Sequence, residues 1–207
     1  MIAFNTSDLP HPFLVDEALS MQSPSGLLNL HRPHWLTALP RTYFTAIDQA
    51  FLVWGALTLG IFSLGQFSSL SWSIQAILDA ALTGVGIALT SGLTWAIASQ
   101  AKLRWVILLW ALLMSIGSLA TVYGIFYSSV LILSHLCLLW LAICAAGYGA
   151  MSIGMRSRCF AAACWVHIGT IAFLSSVSGW QFFGSGLVMA STLFFFSVVP
   201  WDMQPSS

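Results

Sequence analysis

Six long apolar segments separated by short connections dominate the chain from residue 46 onward. Each has about 19 to 25 residues, close to the roughly 20 that an α-helix needs to cross a hydrocarbon core of about 30 Å. Connections this short make helical hairpins, so consecutive helices should run antiparallel. The pattern predicts an all-α integral membrane protein, a compact bundle of about six transmembrane helices over residues 46–67, 74–98, 104–126, 129–152, 159–177 and 180–200.

The residues before the first apolar segment have a different character. Five prolines divide residues 1–43 into pieces too short for long helices. Leucines and Trp35 alternate there with histidines and Arg32, a mixture typical of a segment at the membrane interface. We therefore expect a cytoplasmic or interfacial N-terminal segment over 1–43, a six-helix transmembrane domain over 44–201 and a short C-terminal tail over 202–207.

Composition supports a membrane protein and excludes several soluble functions. Hydrophobic residues make up 58% of the chain and charged residues 6%, with zero formal net charge, whereas soluble domains carry roughly 25% charged residues. A nucleic-acid partner is not expected, because no basic patch could neutralise phosphates. A nucleotide is not expected either, because no phosphate-binding loop of the GxxxxGK[ST] type occurs.

The cations predict the orientation of the bundle. All six lie before the first segment, between the second and third, or between the fourth and fifth; they are Arg32, Arg41, Lys102, Arg104, Arg156 and Arg158. The other connections carry no charge. With six crossings the charged connections share one face, and the excess of Lys and Arg on cytoplasmic loops makes that face, and both termini, cytoplasmic. The bacterial plasma membrane is the default location, and a thylakoid-type internal membrane would produce the same pattern.

Two stripes of small residues predict close helix packing, because helices in lipid associate through close backbone approach. The second segment contributes Ala80, Gly84, Ala88 and Gly92, and the fourth contributes Ala142, Ala146, Ala150 and Gly154. The two stripes could pack on each other, or one could serve a partner subunit. Four tryptophans deep in the segments are also expected between helices: Trp54, Trp110, Trp140 and Trp165.

Asp79 is the sharpest candidate for chemistry. It lies inside the second segment, where a carboxylate costs some kcal/mol unless it is paired or hydrated, and such residues mark ion or proton paths. His135 enters the fourth segment from the same side at a similar depth. The two predict an intramembrane Asp–His pair that could share a proton, with Gln75, Thr83 and Ser134 nearby.

His167, near the middle of the fifth segment, is a weak candidate ligand for a haem or a chlorophyll. A packing role with a satisfied hydrogen bond is favoured, because His135 lies at a different depth and could not be the second ligand of a shared haem. The cofactor is thus left unknown. No metal site is expected, since His31 and His34 have no further ligand nearby.

The function is expected to be non-catalytic, because the HExxH, GxSG and GxGD motifs of membrane proteases are absent. Nearly uniform apolarity and the small-residue stripes favour a subunit or assembly partner of a larger membrane complex, or a self-associating protein. The alternative is a small permease or an ion- or proton-coupled transporter that uses Asp79 and His135.

Overall fold

The computed structural model describes residues 44–199, and the regular elements in this range are helices. The α-helices are α1 (Ala46–Phe67), α2 (Trp72–Gln100), α3 (Arg104–Phe126), α4 (Val130–Ser134), α5 (Leu136–Met155), α6 (Arg158–Phe173) and α7 (Gln181–Val198). A 3-10 helix, Leu174–Val177, follows α6. The expected N-terminal segment 1–43 and tail 202–207 lie outside the described residues.

Five of the described helices are long and apolar enough to cross a membrane, namely α1, α2, α3, α5 and α7. The all-helical, multi-pass part of the prediction is therefore confirmed. The fifth predicted segment corresponds to α6, which is apolar but has only 16 residues, about 24 Å of helix.

The fourth predicted segment is broken near its start. Residues 129–152 were expected to form one helix, but α4 ends at Ser134 and α5 begins at Leu136. His135 stands between them with φ −117° and ψ 17°, outside the helical region. The prediction of a continuous helix was wrong here, and the sequence offers no Pro or Gly at this point that would have indicated a break.

The helices pack as a bundle in which α1 and α3 connect most of the others. Helix α1 packs against α7 and α2, and α3 packs against α2 and α5. Helix α5 also packs against α6 and α7. At one end of the bundle, Gln66 Nε2 donates a 2.8 Å hydrogen bond to the Gly179 carbonyl and ties the end of α1 to the start of α7.

Three tryptophans fill notches at glycines on a neighbouring helix. A Cβ atom added at Gly86, Gly117 or Gly147 would lie 3.1, 2.9 and 2.8 Å from the nearest atom of Trp54, Trp140 and Trp110, respectively. These are contacts that a real Cβ atom could make only if the indole moved. The absence of a side chain on each glycine is thus what admits the ring.

Each of these indoles also donates a hydrogen bond to the residue four positions after its glycine. Trp54 Nε1 donates to Thr90 Oγ1 at 3.1 Å, and Trp140 Nε1 donates to Thr121 Oγ1 at 3.1 Å. Trp110 Nε1 donates to Met151 Sδ at 2.9 Å. Residues i and i+4 share one face of a helix, so the glycine and the hydrogen-bond acceptor lie side by side. The glycine contacts the indole ring, and the acceptor binds its N–H.

Each of the two threonines also donates a hydrogen bond to the backbone of its own helix. Thr90 Oγ1 donates to the Gly86 carbonyl and Thr121 Oγ1 to the Gly117 carbonyl, both at 2.8 Å. The polar groups of these pairs are therefore satisfied inside an apolar environment, where an unmatched N–H would be costly. We call each such arrangement, ring over glycine with N–H bonded four residues on, a Trp–Gly interlock.

The predicted deep tryptophans thus divide into two groups. Trp54, Trp110 and Trp140 lie between helices as expected, but Trp165 is 70% exposed on the outside of the bundle. Many other exposed residues of the bundle are apolar too, such as Leu112 and Ile116. An apolar exterior is what a surface that faces lipid requires.

The predicted small-residue stripes contribute little to packing within the described chain. Gly84, Ala88 and Gly92 are exposed, and a Cβ added at Gly84 or Gly92 would meet no described atom within 4 Å. On α5, Ala146 is exposed and Ala142 and Ala150 are half-buried, while Gly154 receives Trp105. The buried surface of α5 lies instead on the face of Leu141, Cys144, Tyr148 and Met151.

Gly117→Ala should destabilise the bundle, because the new methyl group would lie 2.9 Å from both Trp140 and Ile143. Overpacking of this kind costs about 1–3 kcal/mol. Gly84→Ala is the matched control: it brings the same gain in helix propensity of up to about 1 kcal/mol into open space. Thermal unfolding in detergent should show a lower midpoint for Gly117→Ala only. Equal midpoints for the two variants would contradict the interlock.

Candidate functional site

Two cavities lie end to end between the described helices. The larger, of about 180 Å³, is lined by residues 47–58 of α1, 87–101 at the end of α2 and 103–114 at the start of α3, with contributions from α5 and α7. The smaller, of about 60 Å³, is lined by residues 54–65 of α1, 72–83 of α2 and 114–125 of α3. We call them the large cavity and the Asp79 cavity.

Four residues line both cavities and so form the constriction between them. They are Trp54, Thr58, Met114 and Met189. Both methionines are buried, and methionine is an unbranched side chain with three rotatable bonds that adapts to irregular space. Trp54 is held by its interlock with Gly86 and Thr90. The constriction is therefore fixed on one side and adaptable on the other.

Asp79 lines the smaller cavity and has a carboxylate oxygen without a partner. Its Oδ1 atom is buried and accepts no hydrogen bond from the described residues. The side chain lies seven residues after the start of α2, about 10 Å along the helix. Of the chain between residues 44 and 199, the only other carboxylate is Asp48, which caps α1 by accepting a 2.9 Å hydrogen bond from the Thr45 N–H.

The described cations lie far from Asp79. Lys102 and Arg104 join α2 to α3, and Arg156 and Arg158 join α5 to α6. Helix α2 continues for 21 residues after Asp79, to Gln100, which is about 32 Å of helix, and Lys102 lies beyond its end. Arg104 lies over the Trp95 ring, 5.6 Å from its centroid. Asp79 is therefore a carboxylate in a largely apolar bundle with no cationic side chain of the described chain to pair with.

The polar neighbours of Asp79 come from α2 and α3. Gln75 and Thr83, four residues before and after Asp79, are buried and line the same cavity, as their spacing predicts. Ser118 and Thr121 face them from α3. Gln75 Nε2 donates to the Leu70 carbonyl at 2.8 Å. The sequence identified Gln75 and Thr83, but not the α3 residues, because only the packing of α2 on α3 brings these together.

His135 and Ser134 do not join this group. His135 is exposed, and its Nδ1 is bonded to the Leu131 carbonyl and to Ser134 Oγ, both at 2.9 Å. No hydrogen bond links it to Asp79 Oδ1, whose described surroundings offer no partner. His135 thus lies exposed at the break between α4 and α5, and it lines neither cavity.

His167 is fully buried, with 0% of its surface exposed. Its Nδ1 hydrogen bonds to the Ala163 carbonyl at 2.8 Å, and its ring lies 5.1 Å from that of Tyr148. Neither cavity is lined by His167. A haem or chlorophyll needs open space beside the ligating nitrogen, so the surroundings of His167 fit a packing role better than a ligand role.

The lining of the two cavities is mostly apolar, with Asp79 as its one carboxylate. Among the described residues, no three His, Cys, Asp or Glu side chains lie close enough to hold a metal ion. Of the residues that line both cavities, the sequence placed Trp54 between helices but missed Thr58, Met114 and Met189. Nothing in the local pattern of any one helix marks them, since they meet only through the packing of α1, α3 and α7.

No protein-family model, no curated protein and no solved structure matches the chain. The chemistry of the two cavities is accordingly argued from the residues that line them.

Asp79→Asn should leave the stability of the bundle unchanged or raise it, because Oδ1 makes no hydrogen bond that the substitution would remove. Thr121→Val is the comparison variant: it removes the acceptor of the Trp140 N–H and the bond to Gly117, at about 1–2 kcal/mol. Thermal unfolding in detergent measures both. A loss for Asp79→Asn as large as that for Thr121→Val would make Asp79 a structural residue.

Proposed function

We propose that this protein is a small membrane permease that moves a solute through the interior of the helix bundle. The observation that carries the proposal is the pair of cavities placed end to end along α1, α2 and α3 and separated by four side chains. A carrier needs a binding space in the bundle and a barrier that can open to either side of it. The two methionines of the constriction supply side chains suited to such a barrier.

Asp79 is the group that would bind or couple the solute. Carboxylates inside membrane segments are costly and are found where ions, protons or charged solutes pass. The cavity position of Asp79 and its unpartnered Oδ1 support this role over a structural one. The role does not depend on His135, which lies outside the cavity lining.

The topology proposed for the permease has six crossings with both termini in the cytoplasm. Helix α6 and the 3-10 helix after it together measure about 32 Å at 1.5 and 2.0 Å per residue, enough for a sixth crossing. Trp72 and Trp95, both exposed, are separated by about 35 Å along α2 and suit the two interfaces. The end with Lys102, Arg104, Arg156 and Arg158 would be cytoplasmic, with the bacterial plasma membrane as the default location.

A second candidate function is that of a subunit or assembly partner in a larger membrane complex. The outward face of α2 favours it, because Gly84, Ala88 and Gly92 form an exposed stripe of small residues with open space in front of both glycines. Such stripes allow close approach of another transmembrane helix. The partner would be another membrane protein or a second copy of this chain.

Water access to both cavities tests the permease. In a variant with the native cysteines replaced by alanine, Thr83→Cys reports on the Asp79 cavity and Ser91→Cys on the large cavity. Both should react with a membrane-impermeant thiol reagent, from opposite faces of the membrane, because only a hydrated thiol ionises and reacts.

Ala88→Cys is the matched control, since it lies between the two positions on the exposed face of α2 that would contact lipid. It should react at least about tenfold more slowly, as a thiol without water stays protonated. If Thr83→Cys and Ser91→Cys are no more reactive than Ala88→Cys, the interior is dry and the permease proposal fails.

Ala88→Leu tests the assembly partner. After purification in a gentle detergent, it should lose any associated subunit or second copy, because the larger side chain blocks close helix approach. Leu112→Ala, on the exposed face of α3, should retain it. A wild-type protein that purifies as a lone monomer would argue against this second candidate.

A further inference from the structure

We propose that the Asp79 cavity binds an organic cation, an ammonium-type head group carried on an apolar body of about the size of one aromatic ring. This inference rests on the proposed function in that it names the class of solute the permease would carry. It concerns binding, however, and binding can be measured without transport.

The first step is the charge of the cavity. Asp79 is its one carboxylate, and the described cationic side chains lie at the other end of the bundle. A charge removed from water needs a partner, because an unpaired buried charge is strongly unfavourable. Since the described chain supplies no cation at Asp79, a cationic ligand is the complement that the cavity lacks.

The second step is the aromatic lining. Trp54, Trp72 and Trp140 line the same cavity as Asp79, together with Phe62 and Phe182. The N–H groups of Trp54 and Trp140 are already bonded to Thr90 and Thr121, so these rings offer aromatic surface rather than hydrogen-bond donors. Aromatic surface combined with a carboxylate attracts alkylammonium groups, through cation–π and ionic attraction together.

The third step separates organic from inorganic cations. A hard metal ion takes about six or more oxygen ligands, with carboxylates prominent among them. Asp79 is the one carboxylate of this lining, and its other oxygen-bearing side chains are neutral: Thr58, Gln75, Thr83, Ser118 and Thr121. The Thr121 hydroxyl is already hydrogen-bonded to the Trp140 N–H and the Gly117 carbonyl. An alkylammonium group needs fewer protein oxygen atoms than a metal ion to replace its bound water, because its surface is partly apolar. The lining therefore suits the organic cation better.

The fourth step is size. The Asp79 cavity, of about 60 Å³, has room for a small head group, and the large cavity beyond the constriction measures about 180 Å³. An apolar cavity of about 150 Å³ is known to hold benzene. A ligand with its head at Asp79 would place its ring-sized apolar body in the large cavity once the side chains of Met114 and Met189 turn aside.

The test is binding of benzyltrimethylammonium to the full chain in lipid nanodiscs, followed by tryptophan fluorescence and calorimetry. The neutral isostere neopentylbenzene and the anion benzenesulfonate serve as ligand controls. We expect saturable binding of the cation, with the isostere and the anion weaker by about tenfold or more.

Asp79→Asn should weaken cation binding by about tenfold or more without changing that of neopentylbenzene. Asp79→Glu should retain a preference for the cation over the isostere, and Gly84→Ala, which faces open space, should bind like wild type. Equal affinity for cation and isostere, an unchanged affinity in Asp79→Asn, or no binding of the cation at millimolar concentration would each overturn the inference.

The outcomes distinguish this inference from the permease itself. Reactive cysteines at positions 83 and 91 with no cation selectivity would leave a permease for another solute. Selective cation binding with a dry interior in the cysteine experiment would leave a cation-binding membrane protein that does not transport.

Discussion

The Trp–Gly interlock is the interaction on which the bundle depends. In lipid, burial of apolar surface does not drive helices together, so association relies on close packing and on hydrogen bonds between helices. The interlock provides both at one point, since the ring occupies the space of a missing side chain and its N–H reaches an acceptor one turn on. One interlock joins α1 to α2, and two reciprocal ones join α3 to α5 through Trp110 and Trp140. The same three rings also line the cavities, so the contacts that hold α1 to α2 and α3 to α5 also shape the site.

Much of the helical architecture could be predicted because its signals are local. Runs of apolar residues fix where the long helices lie, and the i, i+4 spacing of Gln75, Asp79 and Thr83 places them on one face of α2, as observed. The two small-residue stripes do not pack on each other within the described chain, because a glycine on a helix is equally compatible with a neighbouring helix, a partner subunit and lipid. The glycines of the three interlocks, Gly86, Gly117 and Gly147, are defined by a tryptophan far away in sequence. The break at His135 was missed for a related reason: its bonds to Leu131 and Ser134 compete with the helix, but these residue types also occur inside helices.

Asp79 differs from the other unsatisfied polar groups of the described bundle in where it lies. Three buried side-chain atoms there lack a hydrogen-bond partner: Asp79 Oδ1, His167 Nε2 and Ser185 Oγ. His167 and Ser185 are fully buried and line neither cavity, whereas Asp79 borders open space that a ligand can enter. Sites that break local rules without compensation are where function is found. Of the three groups, only Asp79 both can carry a charge and borders a cavity. We therefore place the candidate site at Asp79 and not at His167.

In the proposed permease, passage of a solute between the two cavities would require one side of the constriction to move, and the residues differ in what that movement costs. Displacing Trp54 would break its hydrogen bond to Thr90, worth about 1 kcal/mol net, and would leave Gly86 without its packing partner. Rotating Met114 or Met189 breaks no side-chain hydrogen bond, and the thioether chain has several rotamers of similar energy. Met114 belongs to α3, which two interlocks hold to α5. Met189 belongs to α7, which contacts α1 through aromatic pairs such as Phe51 with Phe196 and through the hydrogen bonds of Gln66 at one end of the bundle. Rotation of a methionine is therefore a less costly way to open the constriction than displacement of Trp54, because only the latter breaks a hydrogen bond.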